Sequence, residues 1–410
     1  MRNVSQSGMH RIVDGAVRQL AETQTRVADP LGDRAGWHGR FESGRIGAPG
    51  TAIPMTFLRE VGQIAEFNQN ELVNSLLRAR HAQAGWHVLA VSNAPSVEGT
   101  APALMALRYC DHSGSLQAVL EAESWLAAQQ HQSGGWGSDK TNQPRTYTTA
   151  LALRALAGST NVSAETVAKG ALWLKQSKRQ DGSWGETPDK DGGLAHTAMA
   201  VRALFVVEGP NSHSAQEGVK YIEENWRPGR EGIRHESYDF HIGDPYHRIT
   251  NIFDTEAEIV LALTEGGTLR LPHKVLSVAS RWESEASQSW WTRSDNGNSM
   301  SCLWTLVPRA QAAARIERWI GTGRKATWSQ RAIATYTGSI TSLWLLALSS
   351  LRPGRQWKRR LIQVACFGWI LTFILLWRQG SIDLPQTVLS VILPILLLAI
   401  QIDSSPERGD

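Results

Sequence analysis

Three side chains that can transfer a proton stand at comparable places along the chain, just before a threonine that begins a predicted helix. They are Glu98, which precedes Thr100 by two residues, His196 directly before Thr197, and Asp254 directly before Thr255. A carboxylic acid can protonate a substrate when an apolar site keeps it neutral, and an imidazole can serve as acid or base. The sequence therefore gives three candidate catalytic residues.

Each candidate also has a structural interpretation. The helix dipole stabilises a glutamate in the first turn of a helix. Glu98 can therefore be a solvated residue without a catalytic role. A histidine at the start of a predicted helix is usually buried and hydrogen-bonded, so His196 can have a purely structural role. Asp254 precedes Thr255-x-x-Glu258, which has the pattern of a capping box. These interpretations stay open at the level of the sequence.

A polar stretch from His235 to His247, which we interpret as an irregular loop, offers a second kind of site. It contains three histidines, two aspartates and two tyrosines, which can bind a metal, a phosphate or a polar head group. Its spacing fits no known metal pattern, so we expect neither a metal nor a cofactor. The candidate ligand-binding residues are Tyr238, Asp239, His241 and His247 from this stretch, together with Tyr147.

The elements that must position these residues repeat along the chain. Trp136 and Trp184 lie 48 residues apart, each in a glycine turn and each followed by a Thr-Ala pair. The same layout occurs at Trp37 and Trp86, and looser versions occur near residues 233, 290 and 328. A period in the high forties with two helical stretches predicts a helical-hairpin repeat.

The two helices of each repeat have different patterns. Residues 164–178 are amphipathic, which is typical of an outer helix, whereas residues 194–204 are small and apolar nearly all round, which is typical of a helix buried on both sides. Six or seven such hairpins would close into a ring with the apolar helices inside. The predicted fold class is all-α, an α/α toroid plus two transmembrane helices.

The repeat resembles the QW signature of squalene-type (class II) terpene cyclases, which share the α/α toroid with protein prenyltransferase β subunits. Trp125-Leu126, Gln130 and Gly134-Gly135-Trp136 match the signature fully, whereas Lys178 replaces its glutamine in the next unit. The resemblance covers about residues 30–350 and implies the fold more strongly than the chemistry.

What the resemblance implies for the chemistry is incomplete here. In the cyclases the middle aspartate of Asp-x-Asp-Asp, directly before Thr-Ala, protonates an alkene or epoxide. Glu98 stands at that middle position, but Ser96 and Gly99 replace its acidic companions, and the chain has no adjacent aspartates. In the prenyltransferases zinc is bound by Asp, Cys and His; near Cys302, Met300 stands in the aspartate's place, and no credible ligand set is present.

Composition and the chain ends bound the remaining possibilities. A net charge of +4 without a basic, aromatic-rich stripe gives no reason to expect nucleic acid, and three scattered cysteines exclude a disulfide framework. Residues 361–377 and 384–402 are charge-free runs close to the length of a membrane span. Basic residues between 352 and 360 predict a two-pass hairpin in the cell membrane of a bacterium, with the toroid on the cytoplasmic side.

The expected organisation has five segments. They are a helical segment at 1–29, the toroid at 30–350, a basic juxtamembrane linker at 351–360, the transmembrane hairpin at 361–402 and a tail at 403–410. The leading functional hypothesis is a membrane-anchored module that binds an isoprenoid-like lipid or a partner. The alternatives are an atypical class II terpenoid cyclase that uses Glu98, His196 or Asp254 as its acid, and a sensor or effector acting through the hairpin. The identity of a protein partner stays open.

Overall fold

A computed structural model describes residues 4–28, 34–38, 46–88, 94–110, 112–240, 247–285, 292–295, 298–301 and 303–322. The chain divides into two compact units, Met1–Ile320 and Gly321–Asp410, and the second contains only two described residues. All that follows concerns the first unit.

The described residues form six helical hairpins, each made of an outer helix followed by an inner one. The outer helices are α1 (Gln6–Thr23), α3 (Gln69–Arg78), α5 (Ser115–Ala128), α7 (Ala164–Ser177), α9 (His213–Asn225) and α11 (Pro272–Glu285). The inner helices are α2 (Ala48–Glu60), α4 (Val97–Leu107), α6 (Thr146–Leu156), α8 (Leu194–Glu208), α10 (Thr255–Leu263) and α12 (303–322).

Residue pattern explains which helix lies inside. In α8 every residue from Ala195 to Phe205 is buried, as expected of a helix that is covered on both sides. In α9 only Ala215, Gly218, Val219 and Ile222 are buried, and their three- and four-residue spacing puts them on a single face. The sequence prediction of outer amphipathic and inner apolar helices is confirmed.

The hairpins close into a ring. Successive inner helices from α2 to α10 pack against one another, and α12 returns to α2, where Glu60 accepts hydrogen bonds from Arg315 at 3.2 Å and Arg318 at 2.5 Å. Outside, α1 packs against α11, and the Ser5 hydroxyl donates to Glu283 at 2.7 Å. The all-α toroid is therefore confirmed for the described residues, with α1 as the outer helix of the first hairpin.

The repeated tryptophans hold each turn between helices. The indole N–H of Trp136 donates to the carbonyl of Leu126 at 2.8 Å, and its backbone N–H donates to the Thr149 hydroxyl at 2.9 Å. Trp86 and Trp184 repeat both bonds, and all three side chains are fully buried. The spacing of 13 or 14 residues between tryptophan and threonine thus reflects one hydrogen-bonded unit used repeatedly.

The residue at the glutamine position of the signature ties each turn to the next hairpin. Gln130 donates to the Gly134 carbonyl at 2.7 Å and to the Thr166 carbonyl in α7 at 2.9 Å. Lys178, which replaces glutamine in the next unit, instead forms a 2.8 Å ion pair with Glu217 in α9. The departure from the signature therefore keeps the connection between hairpins.

Three antiparallel β-hairpins accompany the helices, which the sequence did not predict. They are β1 (Thr25–Val27) with β2 (Arg34–Gly36), β3 (Ile233–Phe240) with β4 (His247–Asp254), and β5 (Thr292–Asp295) with β6 (Asn298–Ser301). The stretch 235–247, interpreted above as irregular, thus lies mostly in paired strands. The β-branched residues Ile249, Thr250 and Ile252 of β4 favour that conformation.

Several sequence predictions lie outside the described residues. They concern Cys302, the seventh unit after Trp328, and the segments at 351–360, 361–402 and 403–410. Among the helices that are described, none combines the length and the apolar character needed to span a bilayer. The membrane hairpin and its orientation therefore stay predictions.

Candidate functional site

The sequence-predicted acids lie where the inner helices begin. Glu98 and His196 are in the first turns of α4 and α8, and Asp254 is the N-cap of α10. Tyr147 is in the first turn of α6, between them in chain order. The β3–β4 hairpin, which leads directly into α10, brings its own side chains to the same region.

Glu98 is enclosed rather than solvated. Its side chain is buried, and its Oε1 atom accepts hydrogen bonds from the Ser138 hydroxyl at 2.6 Å and from the Tyr238 hydroxyl. Its Oε2 atom is also buried and has no hydrogen-bond partner among the described residues. Hydrogen bonds to Oε1 therefore hold the carboxyl group in place, and Oε2 can bind or protonate another group.

Burial raises the pKa of Glu98 above its ordinary value, and it outweighs the hydrogen bonds from Ser138 and Tyr238, which act in the opposite direction. A carboxyl group in this state favours its neutral form. Because both hydroxyls donate to Oε1, that atom acts as the carbonyl oxygen, and the acidic proton belongs on Oε2. Donors on the carbonyl oxygen also stabilise the carboxylate that remains after proton transfer.

The structure explains why Glu98 has no acidic companions. Ser96 is the N-cap of α4, and its hydroxyl accepts from the Gly99 backbone at 3.2 Å. A Cβ on Gly99 would lie 2.3 Å from the carbonyl oxygen of Trp86, so no larger side chain fits there. The groups that donate to Glu98 are instead the hydroxyls of Ser138 and Tyr238.

Tyr238 is held in place from two sides. The Arg145 guanidinium lies over its ring, 3.8 Å from the ring centre, and Asn251 donates to its hydroxyl oxygen at 3.2 Å. Arg145 in turn pairs with Glu236 at 3.0 Å and with Glu186. Strand β3 therefore places Tyr238 on Glu98 through a charged cluster that links it to α6.

His196 is fully buried and bound to the same cluster. Its Nε2 atom lies 2.9 Å from Oε2 of Glu236, and its Nδ1 atom has no hydrogen-bond partner among the described residues. A histidine whose Nε2–H donates to a carboxylate carries a lone pair on Nδ1. This arrangement suits a proton acceptor better than a donor.

Asp254 is engaged in structural contacts. One oxygen caps α10 by accepting from the backbone of Ala257 at 3.1 Å, and the other lies 2.5 Å from Nε of Arg309 in α12. Both oxygens of Asp254 are thus engaged, one by the helix cap and the other by the guanidinium. The cap is Asp254 itself, so the expected capping box, which would begin at Thr255, is wrong by one residue.

Aromatic rings lie beside these groups. The rings of Tyr147 and Phe253 meet edge to face with centres 4.8 Å apart, and Phe253 also contacts the His196 ring at 6.3 Å. Burial raises the pKa of Tyr147, and the nearby Glu98 adds to that effect. Tyr147 and Glu98 are both in the first turns of neighbouring inner helices, α6 and α4, which pack against each other.

The other predicted ligand-binding residues contribute less information. Asp239 and His247 belong to the paired strands β3 and β4, but their side chains, like all of His241, lie outside the described residues. Nowhere in the described ranges do three metal-ligating side chains come together. Tyr147 and Tyr238, by contrast, lie in the region of Glu98.

Sequence reasoning missed Ser138, Arg145 and Glu236. Ser138 follows the third tryptophan turn by two residues and carries no motif of its own. Glu236 and Tyr238 are two residues apart, which places both on the same face of a strand. The two-residue spacing could have indicated that Glu236 and Tyr238 share one face of a strand. It was overlooked because the stretch was interpreted as a loop.

Comparison with known proteins supports the toroid assignment. Residues 65–196, which include Glu98 and His196, match the family model described as the squalene-hopene cyclase C-terminal domain. No curated protein matches the chain. Together with the closed ring of hairpins, the match supports the α/α-toroid superfamily as the class of protein.

Solved structures with some similarity include three enzymes. A type II terpene cyclase from Scytonema, in complex with geranylgeranyl dihydroxybenzoate, is 11% identical with a TM-score of 0.47, covering 77% of this chain and 98% of its own. The ent-copalyl diphosphate synthase of Streptomyces platensis is 17% identical with a TM-score of 0.40, covering 65% of this chain and 49% of its own. Candida albicans protein geranylgeranyltransferase-I, complexed with GGPP, is 13% identical with a TM-score of 0.37. The match covers 50% of this chain and 66% of the transferase chain. The chain thus spans about half of the synthase and about two thirds of the transferase.

Proposed function

We propose that the protein is an isoprenoid cyclase in which Glu98 is the general acid. The observation that carries the proposal is the geometry of the Glu98 carboxyl group. It is buried, it is held through Oε1 by two hydroxyl donors, and its Oε2 atom is without a partner among the described residues. A neutral carboxylic acid whose proton has no competing acceptor is suited to protonate a weakly basic carbon–carbon double bond.

The first chemical step transfers the Oε2 proton to one carbon of a substrate double bond. The O–H electron pair remains on Glu98, and a C–H bond and a carbocation form. Ser138 and Tyr238 stabilise the resulting carboxylate through their hydrogen bonds to Oε1.

The carbocation is then attacked by the next double bond of the same substrate, which closes a ring by forming a carbon–carbon bond. The faces of Tyr147 and Phe253 can stabilise the moving positive charge by cation–π interaction. Loss of a proton from the final cation gives an isomer of the substrate, and His196 Nδ1 is a suitable acceptor. Glu98 regains its proton from solvent.

The test uses the full-length protein purified in detergent, as wild type and as Glu98→Gln. Each is incubated with geranylgeraniol, geranylgeranoic acid, geranylgeranyl diphosphate and squalene, and products are separated by gas chromatography with mass spectrometry. We expect cyclic isomers from at least one substrate with wild type and a loss of about 10²–10⁴-fold in rate for Glu98→Gln, since general acid catalysis contributes that much.

Tyr238→Phe is the matched variant for the hydroxyl donors. It keeps the ring under Arg145 but removes one donor to Oε1, so we expect a rate loss of roughly tenfold with an unchanged fold. Equal rates in wild type and Glu98→Gln would exclude Glu98 as the acid. The same unaltered isoprenoid bound to both proteins in native mass spectrometry would instead favour the binding module.

A further inference from the structure

Arg154 is a charged side chain inside the ring that the proposed chemistry does not use. It lies on the inner helix α6 and makes no hydrogen bond or ion pair with any of the described residues. Charged groups within a protein are normally paired, because removing them from water is unfavourable. An arginine without such a partner is therefore a candidate for binding a ligand.

The charges around Arg154 explain why it has no carboxylate partner among the described residues. Glu265 is shared by Arg202 at 3.0 Å and Arg315 at 2.8 Å, and Glu258 lies 3.7 Å from Arg202. Glu60 is likewise shared by Arg315 and Arg318. Each of these carboxylates already has a cation, so Arg154 adds an uncompensated positive charge to the cluster.

Arg154 is one of two residues on α6 whose side chains are not fully buried, and the other is Tyr147. Partial burial lowers the pKa of Arg154 to about 10, and the positive charge of Arg202 acts in the same direction. At neutral pH the guanidinium remains protonated.

Arg154 also has a defined position relative to the proposed acid. It follows Tyr147 by seven residues on α6, which puts the two on one face of the helix, roughly 10 Å apart along its axis. Glu258 influences the pKa of both residues, which is consistent with a shared interior face. Tyr147 in turn lies near Glu98, as described above.

We propose that Arg154 binds the carboxylate head group of an isoprenoid acid whose apolar chain extends along α6 toward Glu98. A guanidinium can pair with a carboxylate through two parallel hydrogen bonds. Arg154 adds a single surplus positive charge, which matches the one negative charge of a carboxylate better than the several charges of a diphosphate. The proposal rests on the proposed function for the direction of the chain, and it names the class of substrate.

The test measures binding rather than turnover. Quenching of tryptophan fluorescence is used to titrate the full-length protein in detergent with geranylgeranoic acid, geranylgeraniol, geranylgeranyl diphosphate and palmitic acid. We expect wild type and Glu98→Gln to bind geranylgeranoic acid at least tenfold more tightly than each of the other three compounds. Arg154→Gln should lose the preference for the acid over the alcohol, and Arg154→Lys should keep part of it.

The control is Arg230→Gln, which removes an exposed arginine and should leave all affinities unchanged. The melting temperature of Arg154→Gln should equal or exceed that of wild type, because an unpaired buried charge has been removed. A variant that failed to fold would contradict this expectation.

Several results would overturn the proposal. They are an unchanged acid preference in Arg154→Gln, tighter binding of the diphosphate than of the acid, and palmitic acid bound as tightly as geranylgeranoic acid. A missing turnover with an intact, Arg154-dependent preference would instead overturn only the role of Glu98, so the two proposals fail in different experiments.

Discussion

At the scale of single residues, the argument depends on how one carboxyl group is surrounded. Glu98 is in a first helical turn, where the helix dipole favours a carboxylate, yet burial dominates and raises its pKa. Asp254 begins a corresponding helix and has the opposite environment, because Arg309 lies against it. Two carboxyl groups near the starts of inner helices thus have different neighbours, hydroxyl donors at Glu98 and a guanidinium at Asp254.

The raised pKa of Glu98 predicts a pH-dependent gain of stability for Glu98→Gln. Below the ordinary pKa of 4.5 the carboxyl is neutral in both folded and unfolded chains, so the variant should match wild type. Above that value the unfolded glutamate ionises first, and wild type loses stability until its folded pKa is passed. The difference in melting temperature between variant and wild type should therefore grow from pH 4 to pH 8.

Glutamine keeps an oxygen that can accept from Ser138 and Tyr238, so the comparison isolates the charge. A difference that shrinks as the pH rises would show that Glu98 is ionised in the folded protein.

At the scale of elements, the repeated turn is the best-determined feature. In three of the turns a threonine hydroxyl accepts from the backbone N–H of a buried tryptophan, as with Thr197 and Trp184 at 3.1 Å. The hydroxyl and the indole together hold the turn between two hairpins. The repeat was visible in the sequence because tryptophan and threonine recur 13 or 14 residues apart.

Thr197→Val should destabilise the protein by about 1–3 kcal/mol, because the buried N–H of Trp184 loses its acceptor. Thr56→Val is the matched control. The Thr56 hydroxyl bonds only to the Ala52 carbonyl of its own helix, so the change should stay within about 0.5 kcal/mol. Chemical denaturation of the two variants measures both values, and equal losses would contradict the role of the threonine in the turn.

The β3–β4 hairpin shows what the sequence could not supply. Helix type, helix order and the tryptophan turns followed from local spacing, and the placement of Glu98, Tyr147 and His196 at helix starts followed from them. The hydrogen bond from Tyr238 to Glu98 joins residues 140 positions apart, and no local pattern specifies such a pair. The partner of a buried acid depends on tertiary packing, which is why Ser138 and Glu236 were not among the predicted residues.

At the scale of the whole molecule, ring closure depends on charge as well as on apolar packing. Glu265 follows α10 and binds Arg202 in α8 and Arg315 in α12. Burial alone would raise the pKa of Glu265, but the two arginines outweigh it and lower the pKa to about 2. The ionised form therefore stabilises the contact between three inner helices.

The lowered pKa gives a prediction for acid unfolding. The stabilisation by Glu265 should be complete above pH 4.5, about 3 kcal/mol, and should decline as the pH falls toward 2. Glu265→Gln should accordingly lower the free energy of unfolding at pH 7, with the gap to wild type narrowing in acid. A gap that is constant from pH 7 to pH 3 would contradict the assignment.

The predicted membrane hairpin makes a further statement about the whole chain. If residues 361–402 anchor the protein, the full-length chain should sediment with membranes and resist extraction with carbonate or high salt. A chain that ends after residue 350 should remain in the supernatant. Full-length protein recovered in the supernatant would contradict the anchor.

The most direct test of the central claim is the protonation state of Glu98 at neutral pH. The infrared difference spectrum between wild type and Glu98→Gln at pH 7 should contain the carbonyl stretch of a protonated carboxylic acid, which shifts in deuterated water. That band would establish a neutral acid at Glu98, the form that its burial favours. A difference spectrum that contains only carboxylate bands would contradict the account, since an ionised Glu98 has no proton to give.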